Sequence, residues 1–307
     1  MFLSVVVFSY NQEKFISQTL DSIIEQKHDF SYEIIIGDDY SVDGTRNILL
    51  QYKEKFPSII KLILNEKNMG MIGNFFNVMN HCTGKYVMVC AGDDYWLPGK
   101  VKSQIIFMEN NTDVGMCCGN VQKLFLNGKM TATDSPEGPR SIEYLIKRYD
   151  MDAVTICLRK NLFLEYIKFI EPTRKNWPME DYPMCLWFAI NSKIYCLSEV
   201  LAVYRLSANS ITRPYDYNKR KQFQSKSTEV KYFFIDLYKI PFSREDLQNQ
   251  ENLFSAYTAL NYKKYDEYRL YISKISSRDV KTNIKKIIGK CRFLAILFHH
   301  YVKFRSK

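Results

Sequence analysis

Short apolar runs alternate with amphipathic stretches through the first 120 residues, and this alternation is the feature that most constrains the fold. The apolar runs, which have the length and composition of buried strands, are Leu3–Phe8, Ile34–Ile36, Ile59–Leu64 and Tyr86–Cys90. Helical patterns lie between them, over residues 12–26, Thr45–Phe56 and about Gly73–Cys82. Continuous apolar strands separated by helices predict an α/β fold with a mostly parallel, doubly wound sheet.

Beyond residue 120 the pattern is less regular. Asn127–Arg140 carries Asn, Gly, Pro and Asp, which predicts a surface loop. Pro183 suits the first turn of a helix that ends near Ile190. Two short strands are expected over Lys193–Leu197 and Leu201–Leu206, and the chain is helical from about residue 214.

Charge separates the chain into two parts. Residues 211–307 hold 21 Lys and Arg against 9 Asp and Glu, a net charge of +12, whereas the first 210 residues carry −2. We therefore expect an α/β domain over residues 1–210 and a basic helical extension over residues 211–307.

Hydropathy and cysteine usage both favour a cytoplasmic protein. No apolar run approaches the roughly 20 residues of a spanning helix, and no secretion leader is recognisable, so we expect no integral membrane segment. The eight cysteines have no C-x-x-C spacing and no metal-ligand spacing with the four histidines. They are interpreted as reduced thiols in the core.

Polar segments follow three of the predicted strands: Ser9-Tyr10-Asn11, Gly37–Thr45 and Gly92–Trp96. The carboxyl ends of parallel strands share one edge of a sheet, so several carboxylates are expected to converge there. Unpaired, they would repel one another, and a divalent cation or an extended polar ligand would relieve that repulsion. No glycine-rich phosphate loop is present. A nucleotide at this edge would therefore be held by carboxylates and a metal.

Structural explanations stay open for the single elements of these segments. Asp43-Gly44-Thr45 also suits a turn that caps a helix, and Tyr10 could be a core residue. Asp93-Asp94 could be a solvated turn. Their occurrence after successive strands favours the functional interpretation.

Three segments together resemble the family 2 inverting glycosyltransferases with the GT-A fold, which is Rossmann-like. They are Ser4–Asn11 (SVVVFSYN), Glu33–Thr45 (EIIIGDDYSVDGT) and Gly84–Asp94 (GKYVMVCAGDD). Order, spacing and residue types agree over about the first 110 residues. The resemblance continues more weakly to residue 210 through Trp177–Asp181 and Tyr204–Ser207.

The resemblance implies a nucleotide site and a metal site. Phe8 would contact the base through its backbone, Tyr10 would stack on the base, and Asp38 would accept the imide N–H; Asn11 belongs to the same strand-one tail. Asp93 would lie near the ribose, and Asp94 would bind the divalent cation, Mn²⁺ or Mg²⁺. Either ion prefers few carboxylates together with phosphate oxygens and waters.

The resemblance also implies a general base. Glu180-Asp181 matches the acidic motif whose second residue takes the acceptor proton, so Asp181 is the candidate base and Glu180 a supporting residue. Asp181 could instead cap the following helix. Arg205 is a candidate phosphate ligand or a buried structural arginine. Ser207 stands where the family often has a histidine, which leaves the metal site one plausible ligand short.

These features predict an inverting transferase that moves a sugar from a nucleotide-sugar donor, a UDP-sugar, to a hydroxyl of a glycan or lipid-linked acceptor. The alternative is a non-catalytic sugar-nucleotide-binding assembly subunit, which only Ser207 favours. A nucleotidyltransferase is the third hypothesis. The sequence argues against it, because its first loop is not rich in glycine.

The basic tail raises a separate question about partners. Lys274–Lys307 holds ten Lys and Arg with one acid, Asp279, and interleaved apolar residues. This composition suits an anionic membrane surface at the inner face of the cell membrane, or a solvated helix packed on the catalytic domain. No nucleic-acid partner is expected, because the chain has no recognisable nucleic-acid module.

Overall fold

The computed structural model describes residues 1–206, 214 and 216–276. The chain divides into two units, Met1–Ser207 and Ala208–Lys307. The predicted boundary at residue 210 falls among residues 207–213, outside the described part.

A single mixed sheet forms the centre of the first unit, with strands in the order β3-β2-β1-β4-β9-β6-β10-β5 and with β7 and β8 attached to β6 and β10. The strands are β1 Leu3–Ser9, β2 Tyr32–Asp38, β3 Ile60–Leu64, β4 Tyr86–Ala91, β5 Tyr95–Trp96, β6 Val114–Leu124, β7 Met130–Ala132, β8 Gly138–Pro139, β9 Cys157–Arg159 and β10 Lys193–Arg205. Strands β3, β2, β1 and β4 are parallel, and so are β6 and β10, while β9 runs antiparallel between β4 and β6. The predicted α/β class with a mostly parallel sheet is confirmed.

Seven α-helices accompany this sheet in the described part of the first unit, with short 3-10 helices at Ala153–Thr155 and Pro172–Arg174. The α-helices are α1 Ile16–Ile24, α2 Thr45–Lys55, α3 Gly70–Met79, α4 Lys100–Asn110, α5 Ile142–Lys147, α6 Lys160–Ile170 and α7 Asp181–Asn191. The apolar face of α1, including Ile16, Leu20 and Ile23, is buried in the same core as the β1 side chains. Since β1 is buried on both faces, its sequence is a nearly continuous apolar run that only Ser4 interrupts.

Two local predictions beyond residue 120 are wrong. The two short strands expected after Lys193 are one strand, β10, whose pairing with β6 shifts register between Cys196 and Ala202. The polar residues Ser198 and Glu199 in this stretch are accommodated as an irregularity rather than a break. The predicted loop Asn127–Arg140 contains β7 and β8, which pair through the backbone; β7 is exposed and therefore gives no apolar pattern.

Three helices make up the described part of the second unit: α8 Tyr217–Tyr238, α9 Arg244–Asn261 and α10 Tyr265–Ser273. Their apolar core includes Ala256, Leu260, Tyr268 and Ile272. The predicted helical character from about residue 214 is confirmed for these residues. Among the helices that the structure describes, none has a stretch both long and apolar enough to span a bilayer.

Candidate active site

The register of β1 with its two neighbours brings the first predicted site residues to one edge of the sheet. Phe8 lies opposite Gly37 on β2 and Ala91 on β4, and Ser9 lies opposite Asp38. The Phe8 carbonyl accepts the Gly92 N–H at 3.0 Å, and the Ser9 carbonyl accepts the Asp39 N–H at 2.9 Å. The ends of the three strands are therefore fixed to one another just before their polar loops begin.

Asp38 is fully buried at this edge. Its Oδ2 accepts hydrogen bonds from Arg46 Nε at 2.6 Å and from the Ser41 N–H at 3.0 Å. Its Oδ1 is also buried and accepts no hydrogen bond from the described residues. An unpaired buried carboxylate oxygen is costly, so Oδ1 is the atom of Asp38 that retains an unused hydrogen-bonding capacity.

Asn11 joins the loop after β1 to the loop after β2. Its N–H donates to Ser41 Oγ at 2.9 Å, and its Oδ1 accepts the Val42 N–H at 2.9 Å. Asn11 adopts a left-handed conformation with φ 53°, which asparagine tolerates better than most residues. Tyr10, immediately before it, is 46% exposed. Tyr10 is therefore not a core residue, and its ring is accessible to a ligand.

Asp43 makes the turn that the sequence allowed as a structural alternative. Its Oδ1 accepts hydrogen bonds from the Thr45 N–H at 3.0 Å and from Thr45 Oγ1 at 2.5 Å, at the start of α2. Its Oδ2 accepts the Glu13 N–H at 3.2 Å. Asp43 therefore shapes the loop and the helix start.

Asp93 and Asp94 follow β4 and lie against Arg205 at the end of β10. Asp94 is 3% exposed, and its Oδ1 accepts the Arg205 main-chain N–H at 2.8 Å. The Arg205 guanidinium donates to the Asp93 carbonyl and to Gln18 Oε1, and it stacks between the rings of Phe15 and Tyr95. These contacts give Arg205 a structural role in holding the Asp93-Asp94 loop.

The two carboxyls suit a hard divalent cation. Burial raises the pKa of Asp93; burial followed by the negative charge of Asp93 raises the pKa of Asp94 well above its usual value. A bound cation would relieve both effects. No cluster of three or more His, Cys, Asp or Glu side chains arranged for a metal occurs in the described part of the chain. The protein would thus supply one or two carboxylates, and phosphate oxygens and waters the remaining ligands.

Glu180 and Asp181 lie at the start of α7 and differ in their surroundings. Glu180 is 6% exposed, and burial reinforced by the charge of Asp181 raises its pKa to about 8. Asp181 is less buried, and its Oδ2 accepts the Tyr149 O–H at 2.8 Å while its Oδ1 accepts the Tyr182 N–H at 2.7 Å. Burial raises the pKa of Asp181 as well, although these two donors favour its carboxylate. Glu180 therefore keeps its proton to higher pH than an ordinary glutamate, whereas two hydrogen-bond donors favour the ionised form of Asp181.

Asp152 connects the two acidic sites electrostatically. In both Asp94 and Asp181, burial is the main cause of the raised pKa, and the charge of Asp152 adds to it. Both carboxyls therefore lie within the electrostatic reach of one residue, although 87 positions separate them in the sequence.

A buried amide network beneath the β2 loop was not predicted from the sequence. Asn74 Nδ2 donates to the Gly37 carbonyl at 3.0 Å, and Asn65 Nδ2 donates to Asn74 Oδ1 and Asp39 Oδ1, both at 3.1 Å. Asp39 Oδ1 also accepts the Met69 N–H at 2.7 Å. A Cβ at Gly37 would meet Asn74 Oδ1 at 2.5 Å, so glycine is required for this close approach.

Arg46 and Tyr149 were also missed. Arg46 donates a hydrogen bond to Asp38, and Tyr149 donates one to Asp181, which lies 32 positions further along the chain. Neither residue belongs to a recognisable motif. Ser207 lies outside the described residues, so its place relative to the metal site stays an expectation.

Residues 4–165, just over half of the chain, match the family described as Glycosyl transferase family 2. The chain belongs to this family. The predicted resemblance is thereby confirmed, and the matched segment contains the β1, β2 and β4 loops described above.

Characterised and uncharacterised proteins resemble this family 2 chain at similar levels. An uncharacterized protein of Mycobacterium tuberculosis is 28% identical over 233 residues, which are 73% of this chain and 64% of the relative. The chain thus spans less than two thirds of the length of that relative. The Escherichia coli UDP-Glc:alpha-D-GlcNAc-diphosphoundecaprenol beta-1,3-glucosyltransferase is 28% identical over 218 residues, which are 68% of this chain and 79% of that protein.

Solved structures share the fold of this family 2 member. S. aureus TarS 1-349 in complex with UDP-GlcNAc superposes with a TM-score of 0.58 at 18% identity, covering 98% of this chain and 92% of TarS 1-349. A Pyrobaculum calidifontis mannosyltransferase in complex with GDP-Man and Mn²⁺ gives a TM-score of 0.59 at 13% identity, covering 98% and 87%. The fold is GT-A, as the resemblance implied.

Proposed function

We propose that the protein is an inverting glycosyltransferase. It moves a sugar from a nucleotide-sugar donor, a UDP-sugar, to a hydroxyl of a glycan or lipid-linked acceptor. The observation that carries the proposal is that the ends of β2, β1 and β4 lie side by side at one sheet edge. Asp38 ends β2, Phe8 lies near the end of β1, and Asp93-Asp94 follow β4. Family membership and the UDP complexes of TarS support the choice of a UDP-sugar.

The nucleotide would be held by the first two loops. Tyr10, with its exposed ring, stacks on the base, and the unpaired Asp38 Oδ1 accepts the imide N–H. Phe8 adds a backbone contact, and Asn11 holds the two loops together. Asp93 binds near the ribose.

Transfer would be a single displacement with Asp181 as general base. Asp181 takes the proton of the acceptor hydroxyl as that oxygen bonds to the anomeric carbon. The bond from the anomeric carbon to the diphosphate oxygen breaks on the opposite face, and its electron pair leaves with the diphosphate. Glu180, which is mostly protonated, adds little charge repulsion to the carboxylate of Asp181.

A divalent cation, Mn²⁺ or Mg²⁺, would be held by Asp94 with Asp93 beside it. When bound it neutralises charge that develops on the leaving diphosphate. Arg205 orients the pair through its contacts to Asp94 Oδ1 and the Asp93 carbonyl. The Mn²⁺ complex of the Pyrobaculum calidifontis mannosyltransferase supports this assignment.

The test is donor turnover with a panel of UDP-glucose, UDP-GlcNAc, UDP-galactose and GDP-mannose, each with Mn²⁺ and with EDTA. An enzyme hydrolyses or transfers one donor at a metal-dependent rate. Metal-dependent binding of a donor without turnover, with or without lipid-linked acceptors, would instead establish the non-catalytic assembly subunit. Failure to bind any donor overturns the proposal.

We further propose that the segment Lys274–Lys307 docks the protein on the inner face of the cell membrane. Residues 277–307 lie outside the described part of the chain, so the support is their charge and apolar content. Each basic residue near an anionic surface contributes about 1 kcal/mol. Full-length protein should sediment with phosphatidylglycerol vesicles at low salt, and a chain ending at Ser273 should not. Equal sedimentation of both chains contradicts membrane docking.

A further inference from the structure

The proposed base has one neighbour whose role no motif suggests. Tyr149 lies two residues beyond the end of α5, and its phenol O–H donates to Asp181 Oδ2 at 2.8 Å. The Tyr182 N–H occupies the other oxygen, Oδ1, at 2.7 Å. The two donors thus contact both oxygens of the Asp181 carboxylate and define its rotamer.

The phenol of Tyr149 is itself fixed by packing. Its ring meets the ring of Tyr182 edge-to-face with centroids 4.8 Å apart, and its hydroxyl lies 3.7 Å from Cys185 Sγ. Burial, followed by the charge of Asp181, raises the pKa of Tyr149 well above its usual value. Tyr149 therefore remains a hydrogen-bond donor throughout the pH range in which a carboxylate base works.

We infer that Tyr149 is a positioning residue for the base: its phenol holds the Asp181 carboxylate toward the acceptor hydroxyl and favours the ionised form. This inference rests on the proposed function, because it assigns a role to Tyr149 through Asp181. A hydrogen bond to a charged group is stronger than one between neutral groups, and one donated to a carboxylate opposes its protonation.

Several other groups also influence Asp181, and a change at Tyr149 leaves these residues themselves unaltered. Burial opposes ionisation of Asp181, and so does the charge of Asp152 from the turn before β9. Among the described residues, Glu180, Cys185 and Tyr166 are further titratable neighbours. A difference between wild type and a Tyr149 variant therefore isolates the phenol.

The test compares Tyr149→Phe with Tyr144→Phe as a matched control. The Tyr144 O–H also donates to a carboxylate, Asp150 Oδ2 at 2.6 Å, but it has no contact with Asp181 among its described hydrogen bonds. With the donor that the panel identifies, Tyr149→Phe should lower kcat about tenfold at pH 6 and about twofold at pH 8.5, with KM for the donor unchanged. The loss is larger at low pH because the base without its donor holds its proton to higher pH. Tyr144→Phe should follow the wild-type profile.

Two measurements keep the inference falsifiable if the phenylalanine variant folds poorly. Placing 3-fluorotyrosine at position 149 gives a nearly isosteric, more acidic phenol, and the acidic limb of kcat should then move to lower pH. The ¹³C-carboxyl resonance of Asp181, assigned by its loss in Asp181→Asn, follows the same ionisation without any donor. A pH-independent loss in Tyr149→Phe, or an Asp181 titration that neither change moves, overturns the role of Tyr149. Full activity in Asp181→Asn would instead refute the base assignment, while the carboxyl titration still reports on Tyr149.

Discussion

Asp94 Oδ1 accepts a hydrogen bond from the main-chain N–H of Arg205 at 2.8 Å, which joins two positions that lie 111 residues apart in the chain. The guanidinium of the same arginine donates to the carbonyl of Asp93. One residue at the end of β10 therefore fixes both members of the proposed metal motif after β4. A change at Asp94 must preserve this acceptor if it is to test metal binding rather than loop structure.

Asp94→Asn should weaken Mn²⁺-dependent donor binding while it keeps the acceptor for Arg205. Removing a charged side chain that binds the metal directly should lower the affinity at least as much as removing a residue that only orients a metal ligand. The affinity for the donor with Mn²⁺ should therefore fall roughly tenfold or more. Isothermal titration of UDP with and without Mn²⁺ measures the effect. Asp93→Asn shows whether the neighbouring carboxyl shares the metal, and Asp113→Asn, an exposed residue paired with Lys193, is the control. Unchanged Mn²⁺-dependent binding in Asp94→Asn with a large loss in Asp93→Asn would move the metal to Asp93.

Asp181→Asn should lower kcat by about 10² or more, because the amide cannot accept the acceptor proton. Donor affinity should remain close to wild type, since Asp181 does not contact the nucleotide in the proposed arrangement. Steady-state kinetics combined with donor titration separates the two effects. Glu180→Gln is the matched control and should keep most activity, because Glu180 is mostly protonated near neutral pH. A large loss in Glu180→Gln but not in Asp181→Asn would transfer the role to Glu180.

Glu180→Gln should stabilise the fold at alkaline pH. Glu180 has a pKa of about 8 in the folded protein against an ordinary value of 4.5, so between these pH values the folded state binds a proton that the unfolded state has released. Wild-type stability therefore falls as pH rises through this window, and glutamine removes that dependence.

Urea unfolding at pH 5, 6.5 and 8 measures this difference between variant and wild type, which should grow by about 1–3 kcal/mol from pH 5 to pH 8. Glu109→Gln is the control, because the pKa of Glu109 is shifted in the opposite direction to that of Glu180. Hydrogen bonds from Lys85 and Tyr86 lower the pKa of Glu109, so its removal should give no gain at pH 8. A parallel pH dependence of wild type and Glu180→Gln would show that Glu180 ionises normally in the folded state.

Arg46→Met should destabilise the protein by about 2–4 kcal/mol, because it leaves the buried Asp38 carboxylate without its charged partner. Donor binding should weaken too, since Arg46 helps to hold Asp38 at the sheet edge. Lys193→Met breaks an exposed pair with Asp113 and should cost less than about 1 kcal/mol. Chemical denaturation of both variants gives the comparison, and equal losses would mean that the Asp38–Arg46 pair contributes no more than a surface contact.

The sequence by itself determined the α/β class, the approximate positions of the first four strands and the family. Buried parallel strands such as β1 are mostly apolar, and the polar residues at or after their ends, Asp38 and Asp93-Asp94, stand out against the apolar residues before them. These signals are local in the sequence. The site residues that they mark lie together because the carboxyl ends of parallel strands lie at the same edge of the sheet. The less regular part after residue 120 gave weaker predictions, since β10 contains polar residues at its register shift and the exposed β7 has no buried face.

Only the tertiary structure decided how these residues are held. No local sequence pattern predicts three of the hydrogen bonds to the proposed site residues. They are Arg46 to Asp38, Arg205 to Asp94 and Tyr149 to Asp181. The family motif had already singled out Asp181 as the candidate base, and the structure added the different surroundings of Glu180 and Asp181. The difference arises because a carboxyl's proton affinity depends on its burial and its donors, and both are set by the packing around the start of α7.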